Sequence, residues 1–457
     1  MLNATDNVIL SRVGQGTPMG DLLRQYWLPV MQSSEMGGPD GRPQRIRLLG
    51  EDLILFRDTA DKLGMLANNC PHRGASLFFG RNEDEGLRCV YHGWKFDVEG
   101  RCVDMPNEPP ESNFKDKVRA NAYPCVERGG VIWAYMGARG EPPGLPELEW
   151  NLVPEEQRFI TMRHEACNFA QAIEGGIDSS HSGFLHSRLS ASEDVERGRR
   201  QGGSEGMRYK TQDKHPRFEV VDTDYGVLIG ARRDAEPPSP QPSPKGRGEG
   251  TYYWRITQFL MPFFQMIPPY GESPTIGGHA WVPIDDYNTM SWSVTWHPTR
   301  PLNEKELERM RAYPTGGIHV GDAGILPPTT QAWGRWMPRA NAGNDYELDY
   351  DAQKNAVFSG ILNLALQDSG MQESMGPIYD RAQEHLGASD TGIIQMRKRL
   401  INAAIALRER GATPTGVNTP AAYRVRSAGV VLPRGAVWVE AAQDHLVARP
   451  GIHLASA

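Results

Sequence analysis

No stretch of about 18 apolar residues occurs anywhere in this 457-residue chain, which excludes a conventional membrane-spanning helix. The first residues, MLNATDNVILSRVGQG, lack a basic segment leading into a continuous apolar one, so a cytoplasmic protein without a secretory leader is expected. Basic runs are missing too. At a net charge of −7 and with no Lys/Arg-rich stripe, the chain offers nucleic acid no phosphate-binding surface. Neither a nicotinamide nor a flavin fingerprint is present: in Gly14-x-Gly16-x-x-x-Gly20 the third glycine is misplaced and no strand precedes it. No internal repeat is visible. What is left is the composition of a globular protein long enough for two or three domains.

Cysteine is scarce, five in all, and two of the five stand in a pattern. Cys70-Pro71-His72 and Cys89-Val90-Tyr91-His92 are two Cys/His pairs separated by residues 73 to 88. Zinc accepts Cys2His2 as well, but zinc fingers pair Cys with Cys and His with His. Here each short segment supplies one of each, as two loops clamping a binuclear cluster do. Two thiolates on one iron and two imidazoles on the other make a Rieske [2Fe–2S] centre, whose neutral nitrogen ligands raise the reduction potential. Gly74 and Gly93 stand where a loop must turn tightly beside the cluster, and Trp94 and Phe96 are placed to shield it from water. Cys102, Cys125 and Cys167 then read as small buried thiols.

Turn signals divide the chain. Residues 1–26 read as a helical lead-in broken at Gly14 to Pro18, and short β segments alternate with turns from about 40 to 138. Gly/Pro-rich ARGEPPGLPELEW (138–150) ends that part, giving expected domains at 27–145 and 150–457, with the lead-in resting on the second. Residues 236–250, with five prolines in eight positions, cannot bury a core and read as a surface insertion. TYYWRITQFLMPFF and HAWVPIDDYNTMSWSVTWHP read as long strands of a central sheet, 347–409 as helical, and GVVLPRGAVWVEA as a β appendage.

A second constellation lies in NFAQAIEGGIDSSHSGFLH (168–186). On a helix, Glu174, Asp178 and His181 share one face. His186 is about 140° further round, so both imidazoles reach one metal only if the helix ends or bulges between them, for which Gly183 is well placed. Two histidines and one carboxylate with open positions form the facial triad of non-haem Fe(II) oxygenases; the bland alternative is a pair of ordinary core or surface histidines.

CPHRGASL and CVYHGWKFD, followed by Asp-x-x-His-x-x-x-x-His, closely resemble the motifs of the Rieske non-haem iron ring-hydroxylating oxygenases. TPMGDLLRQYW and QDSGMQESMGPIYDR are similar to the homo-oligomeric, phthalate 4,5-dioxygenase-like group of oxygenase alpha subunits. The resemblance implies an α+β chain: an all-β Rieske domain, then a helix-grip (START/Bet v1-like) catalytic domain on a central antiparallel sheet. It implies a [2Fe-2S] cluster on Cys70, His72, Cys89 and His92, and a mononuclear Fe(II) on His181 and His186. The third iron ligand is expected at Asp368, in the amide-Asp pair Gln367-Asp368, ahead of Glu373 and Asp380. Asp178 is expected to link a cluster histidine of one subunit to an iron histidine of the next, in a homotrimer or stacked trimers. Asn168 is a candidate gate near iron, or else a helix cap. A separate NAD(P)H-dependent reductase is implied as electron donor, O2 and an aromatic acid as substrates, and cis-dihydroxylation or aryl-ether O-demethylation as reaction. A Rieske electron carrier without oxygenase activity is the reading from another class. For a substrate carboxylate Arg255 is the leading partner, a lone charge in an apolar strand, with Arg208 second.

Overall fold

In a computed structural model of the chain, residues 2–200, 204–235, 250–269 and 275–448 are described. The insertion expected at 236–250 lies outside them apart from Gly250, as does the tail beyond 448. Two short helices open the chain, α1 (Ala4–Ser11) and α2 (Pro18–Leu23). Thr17 caps α2 by accepting from the Gly20 N–H, and Pro18 occupies the first helical position, where no N–H is needed.

Three small antiparallel sheets follow. One joins Trp27–Gln32, Val131–Tyr135 and Cys125–Arg128; a second joins Gln44–Leu48, Glu51–Arg57, Leu63–Ala67 and Ala122–Tyr123. The third runs from Arg81 to Asp104 in sequential order and carries the second Cys/His loop between its strands Gly86–Arg88 and Lys95–Phe96.

The C-terminal part is built on one eight-stranded antiparallel sheet. Its strands are β1 (Arg158–Glu165), β2 (Arg217–Asp222), β3 (Gly226–Asp234), β4 (Thr251–Leu260), β5 (Phe264–Ile267), β6 (Ile276–Pro283), β7 (Thr289–Trp296) and β8 (Ala428–Pro433). The order is β1-β7-β6-β5-β4-β3-β2. β8 pairs with residues 251–256 of β4 and β5 with residues 258–260, so both lie along one edge of that strand. The helices that matter here are α3 (Phe169–Ile177), α4 (Ser204–Gln212), α5 (Glu304–Arg311), α6 (Leu364–Ser374) and α7 (Thr391–Arg410). α1 and α2 rest on α7, and α3 lies against β4, β5 and β6.

Strand alternation divides the sheet into a core face and a polar face. In β7, Met290, Trp292, Val294 and Trp296 enter the main core, while Ser293 and Thr295 alternate with them and bond Arg163 and His319 on the other face. In β1, Met162 joins the core while Thr161 and Arg163 point with those polar groups. The core itself spans both halves, from Leu28 and Trp133 to Trp281 and Leu400. The chain is therefore α+β as expected, an all-β part followed by helices around a large antiparallel sheet.

Two local expectations are corrected. The stretch 347–409 is interrupted twice: non-helical chain separates Tyr350–Asn355 from α6, and after Gly376-Pro377 bends and turns run to a 3-10 turn, Ala388–Asp390, that leads into α7. The appendage is strand only to Pro433; Trp438–Ala441 is a helical turn whose Trp438 stacks on Trp254 with ring centroids 4.9 Å apart. Among the described residues no helix is long and apolar enough to cross a membrane.

Candidate metal centres and substrate cavity

The two Cys/His loops repeat one backbone design. Cys70 N–H donates to the Ala75 carbonyl and Gly74 N–H to the Cys70 carbonyl; Cys89 N–H donates to Trp94 and Gly93 N–H to Cys89. Gly74 and Gly93 have φ of +76° and +82°, left-handed values that explain glycine at the turn of each loop. Cys70 and Cys89 are buried, and the His72 and His92 rings meet edge-on with centroids 4.4 Å apart. The loops thus set two thiols inside and two imidazoles toward the surface. His72 stacks on Trp94 at 4.3 Å, and the Trp94 N–H is held by Asn107 Oδ1 at 2.7 Å.

The donor set fits an iron–sulfur cluster on an observation of its own. His72 Nδ1 is buried with no hydrogen-bond partner, a position that is unfavourable unless something binds it. Burial lifts the Cys70 thiol to about 11, with the Cys89 sulfur alongside adding to the rise, so a bound metal rather than pH would make the Cys70 thiolate.

The helix carrying the second constellation ends sooner than expected. α3 stops at Ile177, so Glu174, Asp178 and His181 do not share a helical face. Gly175 and Gly176 weaken its last turn, and Asp178 captures the next N–H groups: Oδ1 accepts from Ser180 at 2.6 Å and Oδ2 from His181 at 3.1 Å. His181 then opens a single 3-10 turn closed by Gly183. Glu174 faces away from the histidines, paired with Arg381 at 2.8 Å and Arg397 at 2.7 Å. Both glycines are also needed for close approach, since a Cβ on Gly176 would lie 1.9 Å from the Trp281 ring.

On the opposite wall, Asn363 caps α6 and sets Leu364, Asp368 and Gln372 four residues apart along one stripe facing the cavity. Asp368 thereby meets both histidines. His186 Nε2 lies 3.0 Å from His181 Nε2 and 3.2 Å from Asp368 Oδ1, and His181 Nε2 lies 3.6 Å from the same oxygen. With metal–ligand bonds of about 2.1 Å, neighbouring octahedral positions are about 3.0 Å apart and opposite ones about 4.2 Å. Two of the separations match the neighbouring spacing, and the third, at 3.6 Å, is short of the opposite one, so the three donors converge as a two-histidine, one-carboxylate set would.

The surroundings orient the donors. Gln367 Nε2 donates to the Ile361 carbonyl at 2.6 Å, which turns its Oε1 toward His186 Nδ1, also at 2.6 Å. That contact places the proton on Nδ1 and the lone pair of His186 on Nε2. Asp178 Oδ2, 3.4 Å from His181 Nδ1, does the same for the other ring. Burial opposes the charge on Asp368, yet His186, His181 and Arg163 together hold its carboxyl down at about 2. Burial likewise opposes a charge on His181, but Asp178 and Asp368 outweigh it and raise the imidazole.

A cavity of about 250 Å³ opens on this face, between the polar side of the sheet and α3, α4, α5 and α6. Arg255 lines it, buried on β4, with Nη1 3.2 Å from Ser179 Oγ and Nε without a partner. Arg163, which sequence reading passed over, lines it too, held by Glu165 at 2.8 Å and by Ser369 and Ser293. Its strand, RFITMRHE, also carries Arg158, His164 and Glu165, so Arg163 did not stand out there as the lone charge Arg255 does in its own strand. His279 and His319 are pushed down to about 3, chiefly by burial, and stand in the wall as neutral groups.

Two expected residues are elsewhere. Asn168 is the N-cap of α3, accepting from Ala170 N–H and donating to the Ser11 and Asp286 carbonyls, and it does not line the cavity; of its two readings, the cap is the one the geometry supports. Arg208 turns away on α4 to Glu205, at 2.5 Å, while its neighbours Met207 and Lys210 line the cavity. Glu373 is bound by the Tyr346 hydroxyl at 2.6 Å and Asp380 is exposed, so neither joins the triad.

Residues 26–124 match the Rieske [2Fe-2S] domain, and residues 134–450 match the LigXa C-terminal domain like family. The 3-chlorobenzoate-3,4-dioxygenase oxygenase subunit of Comamonas testosteroni is 38% identical, the alignment covering 96% of this chain and 98% of that one. The phthalate 4,5-dioxygenase oxygenase subunit of Pseudomonas putida is 37% identical over 89% and 87% of the two chains. The 5,5'-dehydrodivanillate O-demethylase oxygenase subunit of Sphingobium sp. (strain NBRC 103272 / SYK-6) is 32% identical over 99% and 92%. In fold, the chain is similar to NdmA of Pseudomonas putida CBB5, with a TM-score of 0.55 at 17% identity over 92% of this chain and 99% of that one. It follows that the chain belongs to the Rieske non-haem iron oxygenases, as an oxygenase (alpha) subunit of the phthalate dioxygenase-like group.

Proposed function

We propose that this oxygenase component hydroxylates an aromatic carboxylate, by phthalate-like cis-dihydroxylation, using O2 and electrons from a separate NAD(P)H-dependent reductase in the cytoplasm. The observation that carries the reading is the facial set His181, His186 and Asp368, opening on a cavity that also holds the buried, partly unpartnered Arg255. Cys70, Cys89, His72 and His92 hold the cluster, and His181, His186 and Asp368 hold the iron. When bound, the cluster supplies electrons one at a time and the iron supplies oxygen activation. Gln367 and Asp178 fix the two imidazoles, and Arg255 receives the substrate carboxylate in its planar fork. Asp178 also bridges to His72 or His92 of a neighbouring subunit in a homotrimer. Exposed apolar side chains beside both histidine pairs support such an assembly: Val90, Tyr91 and Phe114 at one, Phe184, Leu189 and Phe358 at the other.

Aryl-ether O-demethylation is the second reading, favoured by the near-complete alignment with the dehydrodivanillate enzyme subunit. The test is a panel of aromatic acids with a surrogate reductase, scoring substrate-dependent O2 uptake and products. A cis-dihydrodiol supports dihydroxylation and formaldehyde the second reading; two irons per chain rather than three, with no O2 uptake, overturns both.

A further inference from the structure

Arg309 is a cation without a structural partner among the described residues. It stands half-buried in the last turn of α5 and lines the same cavity as Arg255. The acid one turn before it on the helix, Glu306, is already engaged by Arg300 at 2.7 Å. Among the described residues the Arg309 guanidinium has no ion-pair or hydrogen-bond partner. Of the other charges in the wall, Arg163 faces Glu165, Asp178 and Asp368 attend the histidines, Arg255 is tied to Ser179, and Lys210 on α4 is also engaged. A cation left open in a partly enclosed space is a site for an anion.

The two arginines stand on different walls. Arg255 is on β4, tied to Ser179 beside the iron loop. Arg309 shares the cavity wall with His319, whose two nitrogens bond Thr161 of β1 and Thr295 of β7, each at 2.8 Å. β5 and β6 lie between β4 and β7 in the sheet. Three strand spacings separate those walls, roughly 14 Å before the side chains reach inward. Neighbouring carboxylates on one ring edge do not span such a gap; acidic groups at opposite ends of an aromatic core do.

Resting on the aromatic-acid reading, we propose that Arg255 and Arg309 clamp the two ends of a dicarboxylate whose acidic groups lie on opposite sides of its aromatic core. Arg309 is then a specificity-determining residue that reads the far carboxylate, and the cavity prefers para-disposed over ortho-disposed diacids and over monoacids.

The test is titration calorimetry of the iron-loaded enzyme with benzoate, phthalate and terephthalate, for wild type, R255Q, R309Q and R309K. Terephthalate is expected to bind wild type at least about tenfold more tightly than benzoate or phthalate. That advantage disappears in R309Q and returns in part in R309K, while R255Q weakens all three acids. Thermal midpoints within a few degrees of wild type establish that the variants are folded. Terephthalate binding no tighter than phthalate, or an R309Q effect equal on all three, overturns the clamp alone. Failure of every acid to bind overturns the clamp together with the aromatic-acid reading.

Discussion

His186 Nδ1 and Gln367 Oε1 lie 2.6 Å apart, and Gln367 is itself fixed through its amide nitrogen to the Ile361 carbonyl. Because Asp368 follows Gln367 in α6, one helical turn supplies both a candidate metal carboxylate and the group that orients the histidine beside it. Q367L, which keeps the bulk and removes the acceptor, should lower iron affinity about 10- to 100-fold, whereas Q367E should retain it. Iron retention against a competing chelator measures this, and unchanged retention in Q367L refutes the orienting role.

Asp178 ends α3 through its contacts to Ser180 and His181 and also faces His181 Nδ1. D178N is the informative substitution, since asparagine keeps the turn-forming oxygen and loses the charge. Both centres should remain loaded, by iron content and by the EPR signal of the reduced cluster, while turnover falls about 100-fold. Full turnover in D178N would remove the bridge from the account.

Glu373 sets a pH dependence of stability. Burial raises its carboxyl, the Tyr346 hydrogen bond opposes only in part, Glu165 adds to the rise, and the result is about 7. An unfolded glutamate titrates near about 4.3. The folded value is the higher one, so the native state holds this proton more tightly and stability declines as pH climbs through the window between the two values. E373Q, which preserves an acceptor for Tyr346, should flatten that decline in thermal midpoints taken from pH 5 to pH 8. An undiminished slope would assign the effect to another group.

Glu149 and Arg426 form a fully buried ion pair, with Trp296 Nε1 donating to the same carboxylate at 3.1 Å. R426A leaves that carboxylate without its cation and should cost about 3–5 kcal/mol, while the double change E149M/R426M should be distinctly milder. Denaturant titration compares them; equal losses would mean that the pair adds packing rather than charge compensation.

Both candidate donor sets were legible in the sequence because such chemistry demands particular residues at fixed spacing, as in Cys70-x-His72 and His181-x-x-x-x-His186. The amide-Asp pair led to Asp368 for the same reason. Local competition was less legible. The early end of α3 depends on Gly175, Gly176 and the Asp178 side chain acting together, and a 3.6-residue period runs through them unchanged. Tertiary partners were least legible. Glu205 stands one turn before Arg208 as a local partner, but that Lys210 rather than Arg208 meets the cavity wall, and that Arg309 joins it, is decided only when α4 and α5 pack against the sheet. Asn168 shows the same limit, since a cap and a gate ask for the same amide and only the carbonyls of Ser11 and Asp286 decide.

The edge of β4 that β5 leaves uncovered is closed by β8, a segment from near the end of the polypeptide. The strand bearing Arg255 is therefore unfinished until residues 428–433, far later in the chain, have been made. A protein cut before Ala428 would keep both Cys/His loops, whose own core cluster lies wholly within residues 54–120, but would leave the edge beside Arg255 open, so such a truncation should spare the first candidate centre more than the cavity wall.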